Sequence, residues 1–153
     1  FLSTAPMETI AATNTAATGI FDVELRTFAI QVPVQAFMGF NSPLQREHFN
    51  ENYVESNKFP KASFKGNISE QHKIDYSKDG THAINVTGDL TIHGVTQKVS
   101  ATGTVSIKSG VVSAVSKFKV KLADYKISIP GVVKDQIAET IDINVSCGYD
   151  QKM

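Results

Sequence analysis

Tryptophan is absent from this 153-residue chain, cysteine occurs once, and leucine occurs only five times. A single cysteine, Cys147, excludes an internal disulfide and decides nothing about export. Net charge is missing too, because 15 Lys and Arg balance 15 Asp and Glu. A nucleic-acid binder needs a cationic excess to displace counterions, and anchoring on an anionic membrane needs a polybasic patch, so the balance argues against both. No apolar run approaches the roughly 18 residues of a membrane-spanning helix. No solenoid-length repeat, linker or break in composition divides the chain, so residues 1–153 read as one domain. The chain starts at Phe1 without a Met, which fits a removed secretory signal or a segment left out.

What is present is a surplus of β-branched residues. Val, Ile and Thr together number 41. Branching at Cβ costs χ1 freedom in a helix and packs well on a pleated surface, so the composition is all-β. With 41% hydrophobic and 20% charged residues, the chain has a core to bury. Period-two alternation then marks the strands. Glu24 to Gly39 reads as one long strand with Phe28, Ile30, Val32, Val34, Ala36 and Met38 on one face and Phe37 on the other; Pro33 points to an edge or a bulge. Two weaker strands, Met7 to Thr13 and Ala16 to Val23, precede it. One short helix is expected from about Pro43 to Asn50, with Ser42 as N-cap and Gln45 three residues on. Phe64, Ile68, Ile84, Val86, Leu90, Ile92, Val105, Ile107, Phe118, Val120, Ile141, Ile143 and Val145 alternate with polar residues over the remaining strands. Turns fall at Ser77–Gly80, His93-Gly94 and Ser109-Gly110. Seven or eight antiparallel strands of this kind close as a sandwich or as a barrel, filled or open to one small ligand. Gly66, Gly88 and Gly103 sit at inward positions, where they serve sharp coiling or leave room for a ligand.

Catalytic and metal chemistry find little support. No G-x-S-x-G elbow and no H-E-x-x-H pair occurs, and His48, His72, His82 and His93 lack the spacing of a zinc site. Arg46-Glu47-His48 reads as a solvated helix face, His93 as a ring bonded to turn backbone, and Cys147 as a buried, inert thiol. Lys117, Lys119 and Lys121 form a stripe on an outer face or against edge pairing. The N-x-S/T triplets at Asn67, Asn85 and Asn144 lie within strands and are put down to chance.

Three segments, in order, resemble the YceI-like family of lipid-binding proteins. The most specific is Gly88-Asp89-Leu90-Thr91-Ile92-His93-Gly94-Val95-Thr96, which matches the family's G-x-L-T-I-H-G-V-T stretch. Leu44 to Gly66 is similar to the family's charged helix followed by an aromatic-Pro pair, here Phe59-Pro60, and a further aromatic. Phe118-Lys119-Val120 with Ala123-Asp124-Tyr125 is similar to its aromatic strand and acidic-aromatic turn. The likeness spans roughly Gly19 to Val145; the missing Trp, the short Ala- and Thr-rich opening strands, the polar helix and the chain length depart from it.

The resemblance implies an antiparallel, eight-stranded, lipocalin-like β-barrel with one short helix, exported to the periplasm or secreted. It also implies an apolar interior for a polyisoprenoid chain. On that footing the expected function is non-catalytic: one isoprenoid-type lipid or quinone tail held for sequestration or transport, with no cofactor and no metal. The expected lining is Ile30, Val32, Val34, Met38, Phe64, Ile84, Val86, Leu90, Phe118, Val120, Ile141 and Ile143, with Phe49 and Tyr53 over one mouth. The alternative is a structural or interaction module with a filled core. No nucleic-acid partner and no membrane span are expected; a homodimer stays open.

Overall fold

The computed structural model describes residues 1–22, 24–70, 78–131 and 137–149. Val23, His72 and Ser77, which figured in the sequence reading, lie outside the described residues. Among these residues, eleven strands run in chain order: β1 Leu2–Thr4, β2 Thr9–Ala11, β3 Thr13–Asn14, β4 Thr18–Asp22, β5 Thr27–Pro33, β6 Phe37–Met38, β7 Lys61–Glu70, β8 Gly80–Ile92, β9 Val95–Lys108, β10 Val111–Lys121 and β11 Thr140–Tyr149. Nine form one antiparallel sheet in the order β2-β1-β11-β10-β9-β8-β7-β5-β4, and β3 pairs with β6 beside it. The all-β barrel-like fold with one short helix is therefore as expected, with nine main strands rather than eight. The sheet curls so that β4 and β11 border one interior, although the end strands β2 and β4 are not paired with each other among the described residues.

The long hairpins follow directly from alternation. In β8, Ile84, Val86, Gly88 and Leu90 face inward and are buried, whereas Ala83, Asn85, Thr87 and Asp89 are exposed. His93 and Gly94 take φ of 56° and 71°, and Ser109 and Gly110 take 51° and 82°, both with the positive φ pair of a tight hairpin. Lys117, Lys119 and Lys121 are exposed on β10, which lies between β9 and β11, so they form a solvated outer face and protect no edge.

The stretch from Glu24 to Gly39 is not one strand. Glu24–Arg26 is a turn, β5 ends at Pro33, and Val34–Ala36 is a single 3-10 turn before β6. Pro33 has no N–H to extend the ladder, and it marks the end of a central strand rather than an edge. The inserted turn shifts the phase of alternation, so Phe37 turns inward and Met38 outward. Arg46 fixes this bend by donating to the carbonyls of Gln35 at 2.6 Å and Phe37 at 3.3 Å.

The helix α1 spans Pro43–His48 and continues as a π-helical turn through Phe49–Tyr53. Ser42 caps it by accepting from the Gln45 N–H at 3.1 Å. The Gln45 side chain reaches back, accepting from the Asn41 N–H at 2.9 Å and donating to Glu8 at 2.6 Å. These bonds tie the helix to the β1–β2 hairpin.

The interior divides into two halves. One is largely packed, with Val105 only 1% exposed among Ile68, Ile84, Val86 and Ile107. Gly66 and Gly88 face each other there, and a Cβ on Gly66 would stand 2.1 Å from the Thr87 carbonyl oxygen. These glycines let β7 and β8 approach closely; with Gly103 they line neither of the two cavities described below. The other half is hollow.

Candidate functional site

The hollow half holds a cavity of about 750 Å3. It is bounded by the inward faces of β5, β7, β8, β10 and β11 and closed at one end by the helical segment. Ile30, Val32 and Val34 line it from β5 and the turn that follows. Phe64 and Leu90 line it from β7 and β8, and Phe118, Val120, Ile141 and Ile143 from β10 and β11. Phe49 and Tyr53 contribute from the helical segment.

Three of the expected lining residues stand elsewhere. Met38 is 59% exposed, because the 3-10 turn reverses its side. Ile84 and Val86 are buried in the packed half and border a second, small cavity of about 50 Å3. Cys147 faces inward, as alternation requires, but it is half-buried and borders both cavities.

Of the aromatic end of the large cavity, sequence reasoning named Phe49 and missed its three partners. Phe1, Phe37, Phe40 and Phe49 meet there, with Phe49 stacked on Phe1 at 5.4 Å and tilted against Phe40 at 5.0 Å. Phe37 packs edge-on against Phe1 at 5.1 Å and Phe49 at 5.7 Å. The four rings come from the residue before β1, from β6, from the loop before α1 and from the π-helical turn, so no single periodic segment announces them. Ile10, Ala12, Val54, Ile92, Leu122, Ile127 and Ile137 also line the cavity. Three of them carried a regular signal: Ile92 in phase with Leu90, Leu122 in phase with Phe118 and Val120, and Ile137 in phase with Ile141 and Ile143.

Among the described residues, the lining includes no Asp, Glu, Lys, Arg or His side chain. Several of its polar groups are already engaged by the protein. The Ser3 hydroxyl accepts from the Ala138 N–H at 3.0 Å, and the Asn14 amide donates to the Pro33 carbonyl at 2.7 Å. Burial pushes the Tyr53 hydroxyl above its ordinary pKa, so it stays neutral. Such a cavity offers desolvated apolar surface; the ammonium of Phe1, whose pKa burial lowers, is engaged by the Ala12 carbonyl at 2.7 Å.

His93 lies outside the cavity lining and serves the scaffold. Its Nδ1 is 3.0 Å from the Tyr125 carbonyl oxygen and its Nε2 is 2.7 Å from Glu55 Oε1. The ring is bonded to backbone, as expected, but to a distant turn rather than its own. Phe59 packs edge-on against it at 5.0 Å. The His93 ring thus joins the β8–β9 turn to the segment after the helix and to the 3-10 turn Leu122–Tyr125. Among the described residues, no cluster of three or more His, Cys, Asp or Glu is placed to hold a metal ion, and no helix is long and apolar enough to cross a membrane.

Comparison with known proteins places this architecture. No curated protein matches the chain. A polyisoprenoid-binding domain from Saccharophagus degradans, implicated in plant cell wall breakdown, superposes with a TM-score of 0.78 at 13% identity, over 97% of this chain and 90% of that one. A YceI protein from Campylobacter jejuni gives 0.70 at 16% identity, over 94% and 86% of the two chains. BcnA from Burkholderia cenocepacia gives 0.69 at 17%, over 88% and 82%. At these identities the likeness is one of fold. The sequence itself matches the YceI-like domain over residues 3–148, and the chain therefore belongs to the YceI-like family.

Proposed function

We propose that the protein holds one isoprenoid-type chain, a lipid or quinone tail, in its large cavity for sequestration or transport, and that it does so without catalysis. The observation that carries this reading is a cavity of about 750 Å3 whose lining, among the described residues, contains no charged side chain. The volume lies within the range of small-molecule sites, and the lining matches an uncharged hydrocarbon. Burying apolar surface is worth roughly 25 cal/mol per Å2 before the costs of immobilisation, which is enough for tight binding without an ionic contact. The fold it shares with the polyisoprenoid-binding domain of Saccharophagus degradans supports the same class of ligand. We place the protein in the periplasm or outside the cell, in keeping with the family.

The competing reading is a barrel filled by its own side chains, and it must account for the empty half. Organic extraction of the purified protein, together with native mass spectrometry, decides between the two. An apolar chain released stoichiometrically, or taken up when farnesol or geranylgeraniol is offered, is the expected result. A protein that carries no lipid and takes up neither alcohol would sink the proposal.

A further inference from the structure

The two cavities meet at a wall, and one ring dominates it. Ile30, Phe64, Val145 and Cys147 border both spaces. Phe64 is the largest of them and is 5% exposed. Its ring is the middle member of a row of three: Phe28, which borders only the small cavity, lies 5.0 Å away edge-on, and Phe118, which borders only the large one, lies 5.5 Å away. The ring is held there by the absence of a side chain on the neighbouring strand, since a Cβ on Gly88 would come within 2.9 Å of Phe64 Cε1. Beyond it the small cavity runs between β4, β5, β8 and β10, bordered by Phe21, Val112 and Ala114.

We propose that Phe64 sets the length of chain the barrel accepts, by closing the large cavity off from the small one. The inference rests on the binding reading above. An apolar chain entering the large cavity meets the Phe64 ring as a floor. With the ring removed, the two cavities become one, and a longer chain gains apolar contact that a shorter one cannot use.

Binding of farnesol, geranylgeraniol and solanesol to the wild type, Phe64→Ala and Phe64→Leu tests this, with circular dichroism to confirm the fold. Phe64→Ala is expected to shift the preference toward the longer alcohols by at least about tenfold, since each further buried methylene adds to affinity. Phe64→Leu shifts it less and carries the test if the Ala variant does not fold. Ala114→Leu fills the small cavity from β10. It should leave the wild-type preference unchanged and reverse the shift when combined with Phe64→Ala. An unchanged length preference in both Phe64 variants overturns the inference while leaving the binding reading intact. So does a shift that Ala114→Leu fails to reverse, because the gain then comes from a loosened barrel. A wild type that takes up none of the three alcohols overturns the binding reading and this inference together.

Discussion

Glu55 has a left-handed backbone, φ 47°, and its carboxylate meets His93 Nε2 at 2.7 Å and Lys58 Nζ at 3.1 Å. The hydrogen bond from His93 and then that from Lys58 hold its pKa below the usual carboxylate range. A carboxyl whose pKa is lowered by folding stabilises the fold when ionised. That contribution is complete above the unfolded value of about 4.3 and is lost as pH falls through the lower folded value. Glu55→Gln should therefore lower the urea midpoint at about pH 6 and lower it less at about pH 3, flattening the acid limb of the stability curve. Equal losses at both pH values would show that only shape, not charge, matters at this position. The sequence exposed one partner of this contact and hid the other. His93 stood out beside a turn glycine, but Glu55 lies 38 residues away, and only the fold brings the two together.

The two tight hairpins are alike locally and different in their surroundings. Gly110 has φ 82° with open space where a Cβ would stand, whereas a Cβ on Gly94, at φ 71°, would lie 2.5 Å from Phe59 Cε1. Gly110→Ala then costs only the left-handed backbone, about 1 kcal/mol. Gly94→Ala adds a displaced Phe59 ring that packs on His93, and should cost about 2–4 kcal/mol. Chemical denaturation of the two variants measures the gap, and equal costs would mean that Phe59 moves aside freely. At this scale the sequence was most readable where strand and turn agree. β8, β9 and β10 alternate without a break and are joined by turns of two residues, so register fixes every side chain to a face. It was least readable at 34–38, where one 3-10 turn reverses the phase and exchanges Phe37 for Met38. The strands β1 to β3 are two or three residues long, too short for alternation to register, and β1 is held by pairing with β11 at Leu2–Asp142, at the other end of the chain.

A barrel that packs one half and leaves about 750 Å3 open in the other forgoes the dispersion contacts that would fill that space. Alternation could identify the inward residues but not this division. Ile84 and Ile143 have the same pattern around them, and only the curl of the sheet assigns Ile84 to the packed side and Ile143 to the hollow one. Under the binding reading, an apolar chain restores the missing contacts and stabilises the folded state by mass action. Geranylgeraniol at about 100 times its Kd should add about 2.7 kcal/mol, a rise in Tm of roughly 5–10 °C. Salt should matter little, since no charged side chain among the described residues lines the cavity. Raising ionic strength from about 0.05 to about 0.5 M should change affinity by less than about twofold, because screening has no ion pair to weaken. Ile143→Trp sets an indole into the middle of the cavity from β11, beside Phe118 across the strand pair. It should abolish both uptake and the thermal shift while the β circular-dichroism signal persists. A thermal shift that survives Ile143→Trp would place the chain on the outside of the barrel, and a strong loss of affinity with salt would require a charged contact that the apolar reading does not include.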